Sequence, residues 1–565
     1  MNAVTTGFSD ADLEPLYTLR AEDMQASDLE RWTAVVPGDE SVLRKLTGPG
    51  PKLLKGPRGS GKSTFLKRAY ARLSSNSSVL VAYINYSTHL ALEPLMLNSE
   101  QSLEHFRQWL VYKVIIGLDE AHADSSPPQL RELAKVGRSY INELGTKTGE
   151  APKTQIQPMS PAELLNFIER LALDEGRSRV VLLMDDAAHA FMQQQQREFF
   201  ELFRALRSRT VACKAAIYPG VTSYSPFFNV GHEAEEIEIW IRPDGPDYLP
   251  TMRAIFKARF PESMQEAVRQ ELVDMAAHAA FGLPRNFLNI LSDSLGDPDD
   301  REFAPSAPSL RRLRVAIQDN ANRARALFAE ISKKLPRYAN FVEVGSEVQN
   351  NMVDQIRKTN MLRSRGPAKY VGIAIAQPWG SELGQIVSLL EYAGSVRRIG
   401  TVSRGETRYE RVQIHTSILF AETALGLGRN LSAEDANRAL ARQSADDFVR
   451  RQADRIMTHE LVDRCRLNLS PCPVCQSPRV SEDAAFCYKC GASLTVESVY
   501  ASLLAAKVEV LDLPELKVHR IQDANIRTVQ DVILDEGGSR LRSVKSIGEI
   551  WSARIKARAE EFVTL

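Results

Sequence analysis

Eight residues, Gly56-Pro57-Arg58-Gly59-Ser60-Gly61-Lys62-Ser63, carry the spacing G-x4-G-K-S, and Thr64 continues it. Glycines at these positions let successive backbone N–H groups turn inward around phosphate oxygens. Lys62 would then reach the β- and γ-phosphates of ATP, and the Ser63 hydroxyl would ligate Mg²⁺. The flanks suit that chemistry. Leu53-Leu54 are strand-like, and the helix beginning near Lys62 adds its positive N-terminal end. Such a phosphate cradle needs a carboxylate partner for the magnesium, and two stretches compete for that role.

The first is VIIGLDEAHAD, residues 114–124, which on paper matches the magnesium-binding strand end of a DEAH-type helicase. The second is RVVLLMDDAAHAF, residues 179–191. A magnesium-binding strand is short, apolar and bounded by turns, so that its last residue emerges at the sheet edge. Residues 179–186 meet that description: DEGRSR turns the chain, and Val180 to Met184 run into Asp185-Asp186. Residues 102–118 do not. Leu103, Phe106, Leu110, Val114 and Leu118 repeat at helical spacing, which predicts a helix with DEAHAD as its polar end. The chain also has no S-A-T and no Q-x-x-G-R-x-G-R, which such a helicase needs. Asp185 is therefore expected to hold Mg²⁺, and Asp186 to orient or deprotonate an attacking water. Asp is one methylene shorter than the usual Glu in that role, which favours slow hydrolysis.

A third group is Cys472-Pro-Val-Cys475 followed by Cys487-Tyr-Lys-Cys490. Two C-x2-C knuckles can surround one Zn²⁺ tetrahedrally in a module too small for a core of its own. No open coordination position is implied, so the expected site is structural. Cys213 and Cys465 lack a second cysteine at knuckle spacing and are expected to stay out of it.

The 565 residues must fold into several domains to position these groups. With 71 basic and 71 acidic residues, net charge offers no global argument for nucleic acid, so any such surface is local. Residues 1–15 have neither the basic nor the apolar region of a signal peptide, and no apolar run approaches the length of a membrane span. A cytoplasmic protein is expected. The pattern predicts a lead-in over 1–45, an α/β ATPase core over 46–230, a helical lid over 231–295 and a helical domain over 310–465. A zinc module over 466–495 and a small helical unit over 500–565 follow. A Pro/Asp-rich linker at 296–309 and a Gly/Pro/Thr-rich loop at 145–161 punctuate the chain.

Together, LLKGPRGSGKSTFLK, VVLLMDDAAHAF and AAFGLPRNFLNIL resemble AAA+ ATPases of the origin-recognition/initiator clade and its bacterial relatives. The resemblance covers roughly residues 30–295 and extends weakly to 425. It implies an α/β P-loop core with a helical lid, ATP hydrolysis, ATP-dependent homo-oligomers and DNA as partner. It also implies that Arg285 of Gly282-Leu283-Pro284-Arg285 reaches the γ-phosphate as a sensor-2 arginine; alone, G-x-P-R is equally a helix-to-helix turn. Sensor 1 falls to Thr222 or Ser223, without the usual Asn. An arginine finger could be Arg207 or Arg209, which read equally as a solvated helix end.

Downstream, two β-like runs joined around Ser403-Arg404-Gly405-Glu406 have the profile of a winged-helix wing. Arg397, Arg398, Arg404, Arg408 and Arg411 make it basic enough for phosphate contacts, unless it is only a solvated hairpin. Residues 510–562 resemble the helix-hairpin-helix domain that ends the bacterial RNA polymerase alpha subunit. There the turn Lys545-Ser546-Ile547-Gly548 would face a DNA phosphate, with Arg542 and Arg554 beside it; protein docking is the alternative. Because the tail lies far from Lys62 in the chain and is expected to lie away from it in space, ATP hydrolysis without DNA is expected to be indifferent to it. The resulting expectation is an ATPase that drives assembly on, or remodelling of, DNA or a DNA-bound partner. The alternative is a nucleotide-gated signalling scaffold with slow turnover that recruits a protein effector, such as one used in phage defence.

Overall fold

The computed structural model describes residues 15–16, 18, 21, 24–36, 38–86, 102–146, 152–186, 193–295, 308–363, 368–428, 432–441, 448–480, 484, 486–494, 499–511 and 513–563. The 296–309 linker falls almost entirely outside them, as do residues 187–192 beyond Asp186.

Five parallel strands form the first sheet, in the order β2-β3-β4-β1-β5: β1 (Lys52–Lys55), β2 (Val79–Asn85), β3 (Arg179–Asp185), β4 (Val211–Ile217) and β5 (Glu235–Glu238). Their side chains alternate between two cores. Leu53, Leu80, Ala82, Val180, Leu182 and Met184 belong to one, and Leu54, Val79, Val81, Val181 and Leu183 to the other. That period of two across near-continuous apolar runs is what a parallel sheet covered on both faces requires.

Helix α1 (Lys62–Ser74) packs on one face and α2 (Ser102–His122) on the other. Gly117 explains how α2 approaches so closely: a β-carbon there would lie 2.9 Å from Ile84 Cγ1 and 3.1 Å from the Tyr83 carbonyl. The helical lid follows, ending in α3 (Pro284–Leu295), around a core that includes Met252, Phe256, Leu272 and Leu291.

Helices α4 (Leu310–Lys334) and α5 (Ala339–Leu362) lead into a second sheet of order β7-β8-β6-β9. Its strands are β6 (Gly372–Ala376), β7 (Val396–Arg404), β8 (Thr407–Ile414) and β9 (Phe448–Arg451). The expected hairpin is there: Arg404 pairs with Thr407 across a two-residue turn, with Gly405 at φ 62°. One helix, α6 (Ser381–Tyr392), separates β6 from β7. The second domain is bolted to the first. Gly220, just past β4, sits so close to Ser388 of α6 that a β-carbon would lie 2.0 Å from its carbonyl oxygen. Tyr218 belongs to the core of the second domain.

Residues 499–563 form a separate small helical core built on Val508, Ile521, Val532, Trp551 and Ile555, and end in α7 (Glu549–Val563).

Candidate functional site

The parallel register brings the ends of β1, β3 and β4 to one edge. Lys55 pairs with Ile217, and the Gly56 N–H donates to the Ile217 carbonyl, so the P-loop starts beside Tyr218. Ligands bind at this carboxyl edge in open parallel sheets. The loop's shape demands its glycines. Gly59 and Gly61 have φ of 79° and 96°, and a β-carbon on Gly56 would lie 2.4 Å from Ser60 Oγ. Gly61 caps α1, which places Ser63 and Thr64 in its first turn.

Lys62 is buried and donates to the carbonyls of Gly56 (2.8 Å) and Pro57 (3.1 Å), with its ammonium 3.5 Å from the centre of the Tyr218 ring. Burial pushes that ammonium down to about 7, against the opposing pull of Asp186 and Asp185. Asp185 is fully buried and accepts a hydrogen bond from the Tyr83 hydroxyl at 2.7 Å. Asp186 stands at φ 53°, a left-handed conformation that costs a non-glycine residue free energy. There its carboxylate accepts from the Tyr218 hydroxyl at 2.7 Å. Burial and then Asp186 hold the Tyr218 phenol well above its ordinary value, so it stays protonated as a donor.

The lid reaches the same place. Gly282 (φ 76°) fits against Ile241, whose carbonyl oxygen a β-carbon would approach to 2.0 Å, and turns the chain into α3. Arg285, second in α3, donates its backbone N–H to the Gly59 carbonyl at 3.4 Å. The helix-to-helix turn and the arginine at the P-loop are thus one feature. Its guanidinium pairs with Glu561 of α7 at 2.5 Å. Arg58 donates to the Glu561 carbonyl at 3.3 Å, and Lys334, at the end of α4, to the same atom at 3.4 Å. The expectation that the tail lies away from Lys62 is therefore incorrect: 503 residues of chain separate Arg58 from Glu561, but the fold closes that loop.

The rival carboxylate pair is elsewhere engaged. Asp119 and Glu120 lie in α2; Asp119 accepts from Ser126 at 2.5 Å and Arg138 at 2.7 Å. His122 bonds Glu175 in the turn that leads into β3. Replacing Asp186 by Asn is expected to keep ATP binding and lower turnover about 10²-fold or more. Asp119→Asn is expected to change neither. Hydrolysis lost in the Asp119 variant and kept in the Asp186 variant would reverse the assignment.

Of the two candidates for sensor 1, the Thr222 hydroxyl turns back to the Tyr218 carbonyl and the Ser223 N–H donates to Gln196, while Tyr218, the residue after β4, presents its hydroxyl to Asp186. Arg207 pairs with Glu233 at 3.1 Å.

The four cysteines come together, with all sulfurs within 4.8 Å of one another and Cys472–Cys490 and Cys475–Cys487 each 3.5 Å apart. Four sulfurs at about 2.3 Å from one zinc stand roughly 3.8 Å apart, so the set fits a tetrahedral thiolate site. All six cysteines are free thiols, and Cys213 and Cys465 are outside this cluster.

The two basic surfaces are only partly available. Arg397 is buried between Glu238 (2.8 Å) and the Trp240 ring, in the contact between domains, whereas Arg398 bonds Ser388 and the Gly384 carbonyl of α6 within the second domain. Arg404 and Arg408 lie at the hairpin tip and are exposed. In the tail, Arg554 lies against Trp551 and pairs with Asp293 of α3 at 2.9 Å, which removes it from the expected phosphate face; Lys545 stays exposed. Among the described residues no helix is long and apolar enough to cross a membrane.

No family model matches this sequence, and no curated protein matches it. Among solved structures the chain is similar to the Orc1 protein of Aeropyrum pernix in complex with DNA. That likeness has 17% identity and a TM-score of 0.30 and covers 70% of this chain and 93% of that one. It is also similar to Drosophila ORC bound to DNA, at 12% identity and a TM-score of 0.26, covering 72% of this chain and 100% of that one. Neither likeness defines a shared fold at these scores; the function of the chain has to be read from the geometry of its own site.

Proposed function

We propose that this chain is an AAA+-type ATPase of initiator type that binds ATP and Mg²⁺ at the P-loop and couples that site to assembly on DNA. The observation that carries this reading is the convergence of Lys62, Asp185, Asp186 and Arg285, from three separate segments, on one edge of a parallel sheet. In this reading Gly56 to Thr64 cradle the phosphates, and Ser63 and Asp185 hold the magnesium, which supplies charge neutralisation during phosphoryl transfer. Lys62 exchanges its bonds to Gly56 and Pro57 for phosphate oxygens. Asp186, fixed by Tyr218, orients the attacking water, and Arg285 reads the γ-phosphate. Cys472, Cys475, Cys487 and Cys490 hold a structural Zn²⁺. The 395–415 hairpin serves as the wing of a winged helix and the tail as a helix-hairpin-helix unit; Arg404, Arg408, Arg542 and Lys545 are among the exposed cations these two surfaces offer to backbone phosphates. ATP-dependent homo-oligomerisation accompanies binding.

A second reading, a nucleotide-gated scaffold with slow turnover, is favoured by Asp186 itself: it is short and its carboxylate already accepts the hydrogen bond of the Tyr218 hydroxyl. The deciding experiment measures ATP hydrolysis and duplex affinity together. The initiator reading expects duplex DNA to stimulate hydrolysis and ATP to tighten duplex binding, with affinity falling steeply as salt rises. Hydrolysis indifferent to DNA, together with no duplex binding in either nucleotide condition, would leave the scaffold.

A further inference from the structure

The end of α7 occupies a place the ATPase reading does not use. The last four carbonyls of a helix have no partner within it, and they carry its negative end. In α7, Glu561 presents such a carbonyl to Arg58 of the P-loop and Lys334 of α4, while its carboxylate pairs with Arg285 of the lid. One residue thus offers two anionic groups to three cations that surround the phosphate cradle. Arg285 also holds the Gly59 carbonyl, so its guanidinium has only a short reach. A second ion pair fixes the same face of the helix two turns earlier, where Arg554 meets Asp293, itself also bonded to Arg323.

We propose that the C-terminal end of α7 is a tethered anionic ligand of the phosphate site, which a nucleoside triphosphate displaces from Arg285, so that ATP releases the tail domain from the ATPase core. This rests on the reading of Lys62 and Arg285 as a nucleotide site. A γ-phosphate brought to the Arg285 guanidinium would stand beside the Glu561 carboxylate, and like charges at one site repel, so the two occupants oppose each other. Binding reciprocity then requires that anything loosening α7 tighten ATP. The released face carries Arg554, which docking keeps against Asp293. Undocking therefore adds a cation to the exposed set of the tail, and ATP would enlarge its anion-binding surface.

The test uses the full chain, with affinities for ATP and ADP measured in Mg²⁺ and hydrogen exchange followed over residues 549–563. Glu561→Ala removes the competing carboxylate. Arg554→Ala loosens the same helix without touching the P-loop. Glu561 points out of the tail core formed by Trp551, Ile555 and Phe562, so Glu561→Ala leaves the tail its helices; Arg554 lies on Trp551, so circular dichroism of Arg554→Ala checks that its helices are kept. Both are expected to bind ATP more tightly, on the order of tenfold. ADP, without the group that meets Arg285, should gain less. In the parent, ATP should speed exchange along α7; in both variants exchange should already be fast. Equal ATP affinity in parent and variants, with α7 exchange unmoved by ATP, would overturn the latch and leave the ATP site standing. Absence of ATP binding in all three proteins would instead remove the nucleotide reading, and the latch with it.

Discussion

Lys62→Ala is expected to weaken ATP binding by roughly 10²–10³-fold, the loss of two charge-assisted hydrogen bonds to phosphate. The parent should also show a pH signature. Burial sets the Lys62 ammonium at about 7, and phosphate oxygens hold it charged. Above pH 7 binding must then take up a proton, so the bound state carries more protons than the free one. Affinity therefore falls as pH rises from about 7, by up to about tenfold per unit, and is flat below. Calorimetric or fluorescence titration from pH 6 to 9 reads both effects. An alanine variant with parental affinity, or a parent without the slope that the variant also lacks, contradicts the assignment of Lys62.

Loss of the metal should be as severe, but local. Among the described residues of 466–494 the buried side chains are only Cys472, Cys487 and Ser477, so the module has no apolar core. Its fold must come from the ion, for which structural zinc sites supply about 10–16 kcal/mol of apparent binding free energy. One zinc per chain is expected by elemental analysis of protein kept reduced. Cys472→Ser, or a strong chelator, should remove it and expose 470–493 to proteolysis. ATP binding should persist, because Lys62 bonds Gly56 and Pro57 and Asp185 bonds Tyr83, all within the first domain. Protein without zinc that still resists proteolysis there would end the structural-metal assignment.

What was legible in the sequence was whatever depends on neighbours along the chain. Gly59 and Gly61 announce their positive φ through the motif, and the helical spacing of Phe106, Leu110, Val114 and Leu118 shows that DEAHAD ends a helix. The two-residue hairpin turn at Gly405-Glu406 belongs to the same class. What was illegible depends on packing between distant segments. Nothing local marks Glu561 as a partner of Arg285, 276 residues earlier, nor separates Arg397, buried against Trp240, from Arg404 at the hairpin tip. A basic run shows charge; it does not show which cations the domain contacts have already consumed. Tyr218 was missed for a related reason, since a phenol at a strand end reads as core until its hydroxyl is seen on Asp186.

Gly220 has a consequence for how the chain can vary over evolutionary time. Its left-handed backbone at φ 80° and its contact with the Ser388 carbonyl leave no space for any side chain. A substitution there must be answered by a shift of the whole of α6, and with it β7, which follows directly. Drift at the end of β4 and drift in the second sheet are therefore coupled. The Tyr218-Pro219-Gly220 turn can diverge only together with the domain it abuts, whereas the exposed hairpin tip at Arg404 can change alone.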